Sequence, residues 1–351
     1  MSAVIRPRAH RDRARLTVIA MAVALPRLIG AQTPSARSTP PVLHAVAEIV
    51  LSGPAVRFDY QTLDTATNRL YIAHMDADQL VVVDVAKRAV IATLNGFDRV
   101  HGVITAPDVG RVYASVTGRH DVAVIDASSL KLVARVGPIE YPNGLAYAPD
   151  VRRVFVSDNA GTNAVIDATT NRLVTSIQLG AGAGNTVYDP VARRILVALH
   201  RRNELVTIDP TTATITSRIP LPGIGNSHGV VLDAERRLAF VAATANATLG
   251  IVDLSAKRLT HTYPVARSPD VLAYDPGWRR LYVSSESGGV TVLRETDGPD
   301  GVELLHEGDL AMPHAHTVAV DPRTHLVYFP LQDVNGRPML RIMAGDPPRE
   351  H

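Results

Sequence analysis

Short apolar segments alternate with polar turns along almost the whole chain, and the alternation is periodic. A basic residue followed by an apolar or aromatic run marks each copy. The seven copies are Arg69-Leu-Tyr-Ile, Arg111-Val-Tyr-Ala, Arg153-Val-Phe-Val, Arg194-Ile-Leu-Val, Arg237-Leu-Ala-Phe, Arg280-Leu-Tyr-Val and His325-Leu-Val-Tyr. Successive copies are 42, 42, 41, 43, 43 and 45 residues apart. A period this regular is typical of a repeat architecture in which each copy is one supersecondary unit.

Each copy has the same internal order of segments. A short apolar strand ends in Asp-Pro or a related turn, as at Asp275-Pro276, because proline cannot continue a hydrogen-bonded ladder. The strand with the basic and aromatic residues follows, then a third strand that ends in aspartate, as at Asp84, and a more polar fourth. Val, Ile, Thr and Tyr dominate these segments. Four short strands per repeat predict one blade of a β-propeller.

The ends of the repeat region predict how the ring closes. The seventh copy, from His316 to Ala344, supplies three strands, and Ala45–Leu51 forms an isolated strand before the first copy. Pairing this strand with the seventh blade would remove an exposed sheet edge. The sequence therefore predicts an all-β, seven-bladed propeller of four-stranded antiparallel blades over residues 44–345, followed by a C-terminal tail at 346–351.

The first residues are typical of an export signal. Arginines from Arg6 to Arg15 precede an apolar run from Leu16 to Pro26, which is too short to span a bilayer. We expect a signal peptide over 1–31, a Pro- and Ser-rich spacer over 32–43, and a periplasmic or secreted protein. An uncleaved anchor is the alternative. No later segment is apolar for long enough to cross a membrane, so we expect no span in the mature chain.

Composition excludes several classes of function. The chain has no cysteine, which removes disulfide scaffolds, thiol nucleophiles and Cys-ligated zinc. The net charge of +2 reflects six arginines in the first 31 residues, and the remainder carries a net charge of −3. A nucleic-acid partner is therefore not expected. We expect a monomer that binds a small ligand or a protein of the cell envelope.

Three stretches have a distinctive sequence within the repeats: Pro142–Asp150, Arg280–Ser284 and Asn163–Asp167. In these stretches the chain resembles the YVTN-repeat family of β-propellers, the YncE-like proteins of bacterial envelopes. The resemblance implies the propeller fold and an exported location. Members of this family are associated with binding ligands, partners or DNA and with surface layers, so the function has to be argued from the site.

One position of the repeat is rich in polar groups. In a propeller the first strand of each blade lines the central channel, and the residue five places before the turn that ends this strand would lie at the channel mouth. These residues are Asp59, His101, Asn143, Gly184 (with Asn185 next to it), His228, Asp270 and His316. Loops between second and third strands should add His74, His200 and Glu286 to the same face.

These residues leave three functions open. The channel mouth can bind a small ligand, a metal or a protein partner. In the alternative, His101, His228 and His316 hold one divalent transition metal, with Asp59, Asp270 or Glu286 as a further ligand or general base, in an enzyme of lyase, lactonase or oxidase type. Third, the protein is a structural envelope component whose polar channel has no specific ligand. Polar channel mouths are common, and Asp, Asn or His there can simply bond the local backbone.

Overall fold

The computed structural model describes residues 42–299 and 301–348, which form seven four-stranded antiparallel sheets. The expected signal peptide and the spacer up to residue 41 lie outside the described residues, as do residues 349–351 of the expected tail. The predicted all-β, seven-bladed propeller is confirmed.

Every blade uses its strands in the same order from the channel outward. The first strands are β2 Gln61–Asp64, β6 Val100–Ala106, β10 Pro142–Ala148, β14 Ala183–Asp189, β18 Ser227–Asp233, β22 Pro269–Asp275 and β26 Ala319–Val320. The second strands are β3 Arg69–His74, β7 Arg111–Val116, β11 Arg153–Asp158, β15 Arg194–Leu199, β19 Leu238–Ala243, β23 Arg280–Ser285 and β27 Val327–Val334.

The third and fourth strands complete the blades. The third strands are β4 Gln79–Asp84, β8 Asp121–Asp126, β12 Thr162–Asp167, β16 Glu204–Asp209, β20 Thr248–Asp253, β24 Gly289–Gly298 and β28 Arg337–Gly345. The fourth strands are β5 Ala89–Asn95, β9 Leu132–Val136, β13 Arg172–Gln178, β17 Thr214–Pro220, β21 Arg258–Pro264, β25 Gly301–Ala311 and, for the seventh blade, β1 Leu43–Val50.

The hydrophobic core is divided into seven clusters, and each cluster lies between two neighbouring blades. The second and third strands are buried on both faces, which explains why they are apolar in unbroken runs such as Leu80–Val83. First strands of neighbouring blades contact one another around the whole circle, including those of the first and seventh blades. The channel is therefore enclosed by the seven first strands.

The repeated aspartates at strand ends have a local structural role. The carboxylate of Asp84 accepts a hydrogen bond from the backbone N–H of Lys87, and that of Asp253 accepts one from Ala256. At the ends of first strands, Asp189 accepts from the N–H of Ala192 in the same way. These contacts close the turns that the sequence pattern marks.

The described helical residues form four 3₁₀ turns, Met75–Ala77, Pro107–Val109, Thr117–Arg119 and Pro149–Val151. Within the described ranges, no helix has both the length and the apolar character that a membrane crossing requires.

The ring closes as the sequence predicts, because β1 pairs antiparallel with β28. Leu43, at the start of β1, is buried in the cluster between the sixth and seventh blades. Ile49 and the following Leu51 are buried in the cluster between the seventh and first blades. This strand therefore contributes to both cores beside the closing blade.

We predict that a chain starting at residue 52 is less stable than one starting at residue 42 by roughly 5 kcal/mol or more, because three buried apolar side chains are lost. Urea unfolding followed by circular dichroism measures the difference. Equal unfolding midpoints for the two chains would show that β1 is not needed for closure.

Candidate functional site

Seven polar residues, one from each blade, lie at the same end of the channel. In blade order they are Asp59, His101, Asn143, Asn185, His228, Asp270 and His316. Six of them are buried, and the side chain of His228 is 15% exposed. The structure thus brings together one residue per repeat that is distant from the others in the sequence.

An irregularity in the first strands directs these side chains into the channel. In blades two to six, two consecutive residues face a single residue of the second strand, so that His101 and Gly102, for example, both face Ser115. Such β-bulges re-aim side chains and are frequent beside functional sites. In the fourth blade, Asn185 is the second bulge residue, which is why the polar group there is displaced by one position from Gly184.

Two bulges require glycine because the next blade comes very close. A Cβ atom on Gly102 would lie 2.3 Å from the carbonyl oxygen of Asn143, and one on Gly229 would lie 2.0 Å from that of Asp270. The hydroxyl of Ser115 accepts a hydrogen bond from the N–H of Gly102 and donates one to the carbonyl oxygen of Asn143. These contacts fix the spacing between channel-lining residues.

Imidazole and carboxylate groups alternate across five adjacent blades, in the order His101, Asp59, His316, Asp270, His228; we call this set the arc. Nε2 of His101 is 3.9 Å from Oδ2 of Asp59, and Oδ1 of Asp59 is 3.2 Å from Nε2 of His316. Nδ1 of His316 is 3.2 Å from Oδ2 of Asp270, whose Oδ1 is 2.7 Å from Nε2 of His228. The remaining two blades contribute Asn143 and Asn185.

His316 is the centre of the arc, because three carboxylates surround it. Besides Asp59 and Asp270, Oε1 of Glu286 lies 3.0 Å from its Nδ1. Burial by itself lowers the pKa of His316, but the carboxylates of Asp270, Asp59 and Glu286 outweigh burial and raise this pKa to about 10. With no metal ion bound, His316 is therefore an imidazolium at neutral pH.

The groups beside His316 respond to its charge. Burial opposes ionisation of Asp270, yet the positive charges of His316 and His228 hold the pKa of Asp270 well below its usual value. The hydrogen bond from His316 is the main reason that the pKa of Glu286 falls to about 2. Burial lowers the pKa of His228, but Asp270 and Asp59 raise it to a larger extent. The site therefore holds ionised carboxylates in need of cationic partners.

Arg57 lies at the outer side of this cluster. Its NH1 and NH2 groups donate to the two carboxylate oxygens of Glu286 at 3.1 and 2.6 Å. NH2 is also 3.2 Å from both ring nitrogens of His316. The sequence analysis did not identify Arg57, which lies two residues before the repeat position that gave Asp59.

Tyr60 crosses the channel beneath the arc. It belongs to the first blade, and its hydroxyl donates to Oδ1 of Asn185 in the fourth blade and lies 3.2 Å from Nε2 of His228 in the fifth. Burial, followed by the charges of Asp270 and Asp59, raises the pKa of Tyr60 well above its usual value, so the hydroxyl keeps its proton. The sequence analysis missed Tyr60, although three of its equivalents in other repeats are glycine, which makes it the one large side chain at that position.

Below Tyr60 the channel becomes mainly apolar. A cavity of about 160 Å³ is lined there mostly by aliphatic side chains, among them Val103, Leu145, Val271 and Val318. The titratable groups thus lie in a cup at the mouth, which is formed by the arc and has the Tyr60 hydroxyl at its floor.

The remaining candidate residues lie around this cup. Nδ1 of His101 donates to the carbonyl oxygen of Arg99, 2.8 Å away, which leaves Nε2 facing Asp59. His200 stacks on His228, and burial together with the positive charge of His228 lowers the pKa of His200 to about 4. His200 also borders a polar cleft of about 590 Å³ that contains Arg201 and Arg202.

His74 does not join the arc. It is fully buried and stacks on Phe58 with ring centroids 4.0 Å apart. Burial lowers its pKa, which favours the neutral ring that this apolar packing requires. Its position is that of a core histidine.

A set of ligand atoms with metal-site spacing is present at the mouth. In residues 42–299 and 301–348, one group of His, Asp or Glu side chains has three ligand atoms within 4.8 Å of one another, and it consists of Asp270, Glu286 and His316. This set contains one of the three histidines that the sequence analysis nominated. His101 and His228 instead contact the carboxylates on either side.

Comparison with known proteins supports the fold. No protein-family model matches the chain, and no curated protein matches it. Among solved structures, a chain of hydrazine synthase from Kuenenia stuttgartiensis is similar, with a TM-score of 0.70 and 16% sequence identity over 83% of this chain and 96% of that chain. At this identity the similarity concerns the fold alone, and membership of the YVTN-repeat family stays a prediction.

The His316 environment predicts a pH-dependent stability. Because the pKa of His316 is about 10 in the folded chain and 6.5 in the unfolded chain, its contribution to stability is complete below pH 6.5 and is lost as pH rises to 10. In that window the slope is about 1.4 kcal/mol per pH unit. We expect urea unfolding with a chelator present to show this slope for the wild type.

His316→Gln should lack this contribution, while His120→Gln, which alters an exposed histidine, should retain the wild-type slope. The same pH dependence in wild type and His316→Gln would contradict the assignment.

Proposed function

We propose that the protein is an exported binding protein whose channel mouth binds one divalent transition-metal ion through His316, Asp270 and Glu286. The observation that carries the proposal is the convergence of three carboxylates on the His316 ring at 3.0–3.2 Å. His316 and Arg57 balance two of these three carboxylates, so the centre can accept a divalent ion that displaces the His316 proton. A mixed imidazole and carboxylate set is suited to ions such as Zn²⁺ or Co²⁺.

The neighbours of the three ligands support this proposal. Metal-binding histidines usually donate their second ring N–H to a carboxylate or carbonyl. Nε2 of His316 faces Oδ1 of Asp59, which leaves Nδ1 directed at Asp270 and Glu286. Oδ1 of Asp270 lies 2.7 Å from Nε2 of His228, which leaves Oδ2 directed at the same point. Two of the three ligands are thus already oriented by an outer partner.

Three protein ligands would leave a coordination position of the ion free for a further molecule. Three ligands are typical of sites that keep an open position for water or a ligand. The side chain of Glu286 is 39% exposed, so the open side of the cluster faces the channel mouth. Closed structural sites more often have four protein ligands.

We predict about one equivalent of Co²⁺ or Zn²⁺ per chain, measured by elemental analysis and calorimetry on protein purified without a His tag. Asp270→Asn and His316→Gln should each remove stoichiometric binding, and Asp59→Asn should weaken it about 10–100-fold. Binding at Nδ1 displaces the proton of His316, so the affinity should rise with pH towards 10.

His325→Gln is the matched control, because Nδ1 of His325 pairs with Asp275 at 2.7 Å in another His–Asp contact that has no third ligand nearby. No metal in the wild type, even after loading, would disprove the proposal.

A second candidate function is a metal-dependent enzyme of lyase, lactonase or oxidase type. The observation that favours it is the Tyr60 hydroxyl beside the His228–Asp270 pair, since a protonated hydroxyl next to a Lewis acid can act as a general acid. The bound ion would polarise a carbonyl group of the substrate.

Tyr60→Phe separates the two candidates. For a binding protein we expect unchanged metal stoichiometry and no hydrolysis of simple lactones by the metal-loaded wild type. For an enzyme, lactone hydrolysis by the wild type should fall about 100-fold or more in Tyr60→Phe at the same metal content.

A further inference from the structure

Arg57 occupies the open side of the proposed metal site. Its guanidinium contacts both a proposed ligand, Glu286, and the ring of another, His316. The Arg57 side chain is 34% exposed, so it lines the entrance through which a ligand would reach the ion. A cation in this position is not needed to hold a metal, since it repels one.

Arg57 and a bound ion would compete for the same carboxylate oxygen of Glu286. The oxygen that faces Nδ1 of His316, Oε1, is the same one that receives the 2.6 Å hydrogen bond from Arg57. When this oxygen ligates an ion, its lone pairs and charge are shared with the metal, and its bond to the guanidinium weakens. Arg57 is then a partly buried cation with reduced compensation, which is costly.

Arg57 also has unused hydrogen-bonding capacity. Its Nε–H is buried and has no acceptor among the described residues. A guanidinium presents its donors as a fork that matches the two oxygens of a carboxylate. The Glu286 carboxylate fills that fork in the metal-free arrangement, which shows the kind of group that fits there.

We infer that the ligand which completes the proposed metal site is a small carboxylate, with one oxygen on the ion and the other on the guanidinium of Arg57. This inference rests on the proposed metal-binding function. No covalent bond forms: the carboxylate takes the open coordination position and part of the hydrogen bonding of Glu286.

The shape of the cup limits the ligand. Because the Tyr60 side chain crosses the channel beneath the arc, the ligand enters from the mouth and extends back towards it. The channel below is lined mainly by aliphatic side chains and holds no charged residue among those that line it, which disfavours a second charged end there. A short carboxylate whose remaining part points to solvent fits these conditions.

The test uses the full chain loaded with Co²⁺ and follows the visible absorption of the ion during titration with acetate. Acetamide, which has the same size without the charge, is titrated in parallel at constant ionic strength. We expect acetate to change the Co²⁺ spectrum and acetamide to bind at least about tenfold more weakly, because acetamide has no negative charge to share between the ion and the guanidinium of Arg57.

Arg57→Gln should weaken acetate binding about tenfold or more, and Arg57→Lys should have an intermediate effect because it keeps the charge but loses the fork. Arg267→Gln, which removes an exposed arginine in the loop before Asp270, is the control for surface charge and should bind acetate like the wild type.

The possible failures are distinguishable. If the wild type binds no Co²⁺, the metal proposal and the carboxylate inference both fail before acetate is added. If Co²⁺ binds but acetate affinity is the same in wild type, Arg57→Gln and Arg57→Lys, the inference alone is overturned. Equal affinities for acetate and acetamide overturn it as well. If Arg57→Gln no longer binds Co²⁺, the acetate affinities of the wild type and Arg57→Lys are compared instead. Equal affinities in these two proteins overturn the inference.

Discussion

The structure depends on apolar packing between blades, because no blade has a core of its own. Each of the seven hydrophobic clusters takes side chains from two neighbouring sheets, so a blade is stable only with a neighbour on each side. This requirement forces the sheets into a closed circle. Closure in turn leaves the first strands little lateral freedom, and the titratable groups of the arc lie at one end of the channel, where other polar groups can satisfy them.

The circle converts a repeated position into a cluster. Residues about 43 positions apart in the sequence become neighbours at the mouth, and differences among the repeats, not their similarity, create the chemistry. Charged groups placed together in an arc add little net stability by their mutual attraction, because desolvation offsets much of the attraction between buried charges. The glycines and Ser115 that fix the bulges maintain this arrangement at close backbone contacts. The repeated mouth position thus becomes a set of interacting charged groups whose spacing the backbone fixes.

The fold could be predicted from the sequence because period, turn residues and strand composition all agree. The seven mouth positions followed from the same repeat, and the alternation of His101, Asp59, His316, Asp270 and His228 was present in the sequence once the first and seventh blades are placed side by side. The distances between the mouth side chains could not be predicted from the sequence.

The position of Arg57 depends on the conformation of a loop. His74, the last residue of β3, packs against Phe58 and not at the mouth, because local packing decides the orientation of its side chain. Tyr60 could have been found from the sequence, because it is a large side chain at a repeat position where three other blades have glycine.

The closing blade joins the first and the last described strands, since β1 and β28 are neighbours in it. The mouth residues next to this joint are His316 in the seventh blade and Asp59 in the first, whose side chains meet at 3.2 Å. These two residues are brought together only when the last strands have been synthesised and docked. Because loop-closure entropy grows only with the logarithm of chain length, the long connection is a modest thermodynamic burden, but it delays assembly. A nascent or truncated chain therefore has no complete site. A ligand that contacts both the first and the seventh blade would bind only the closed ring and would thereby stabilise it.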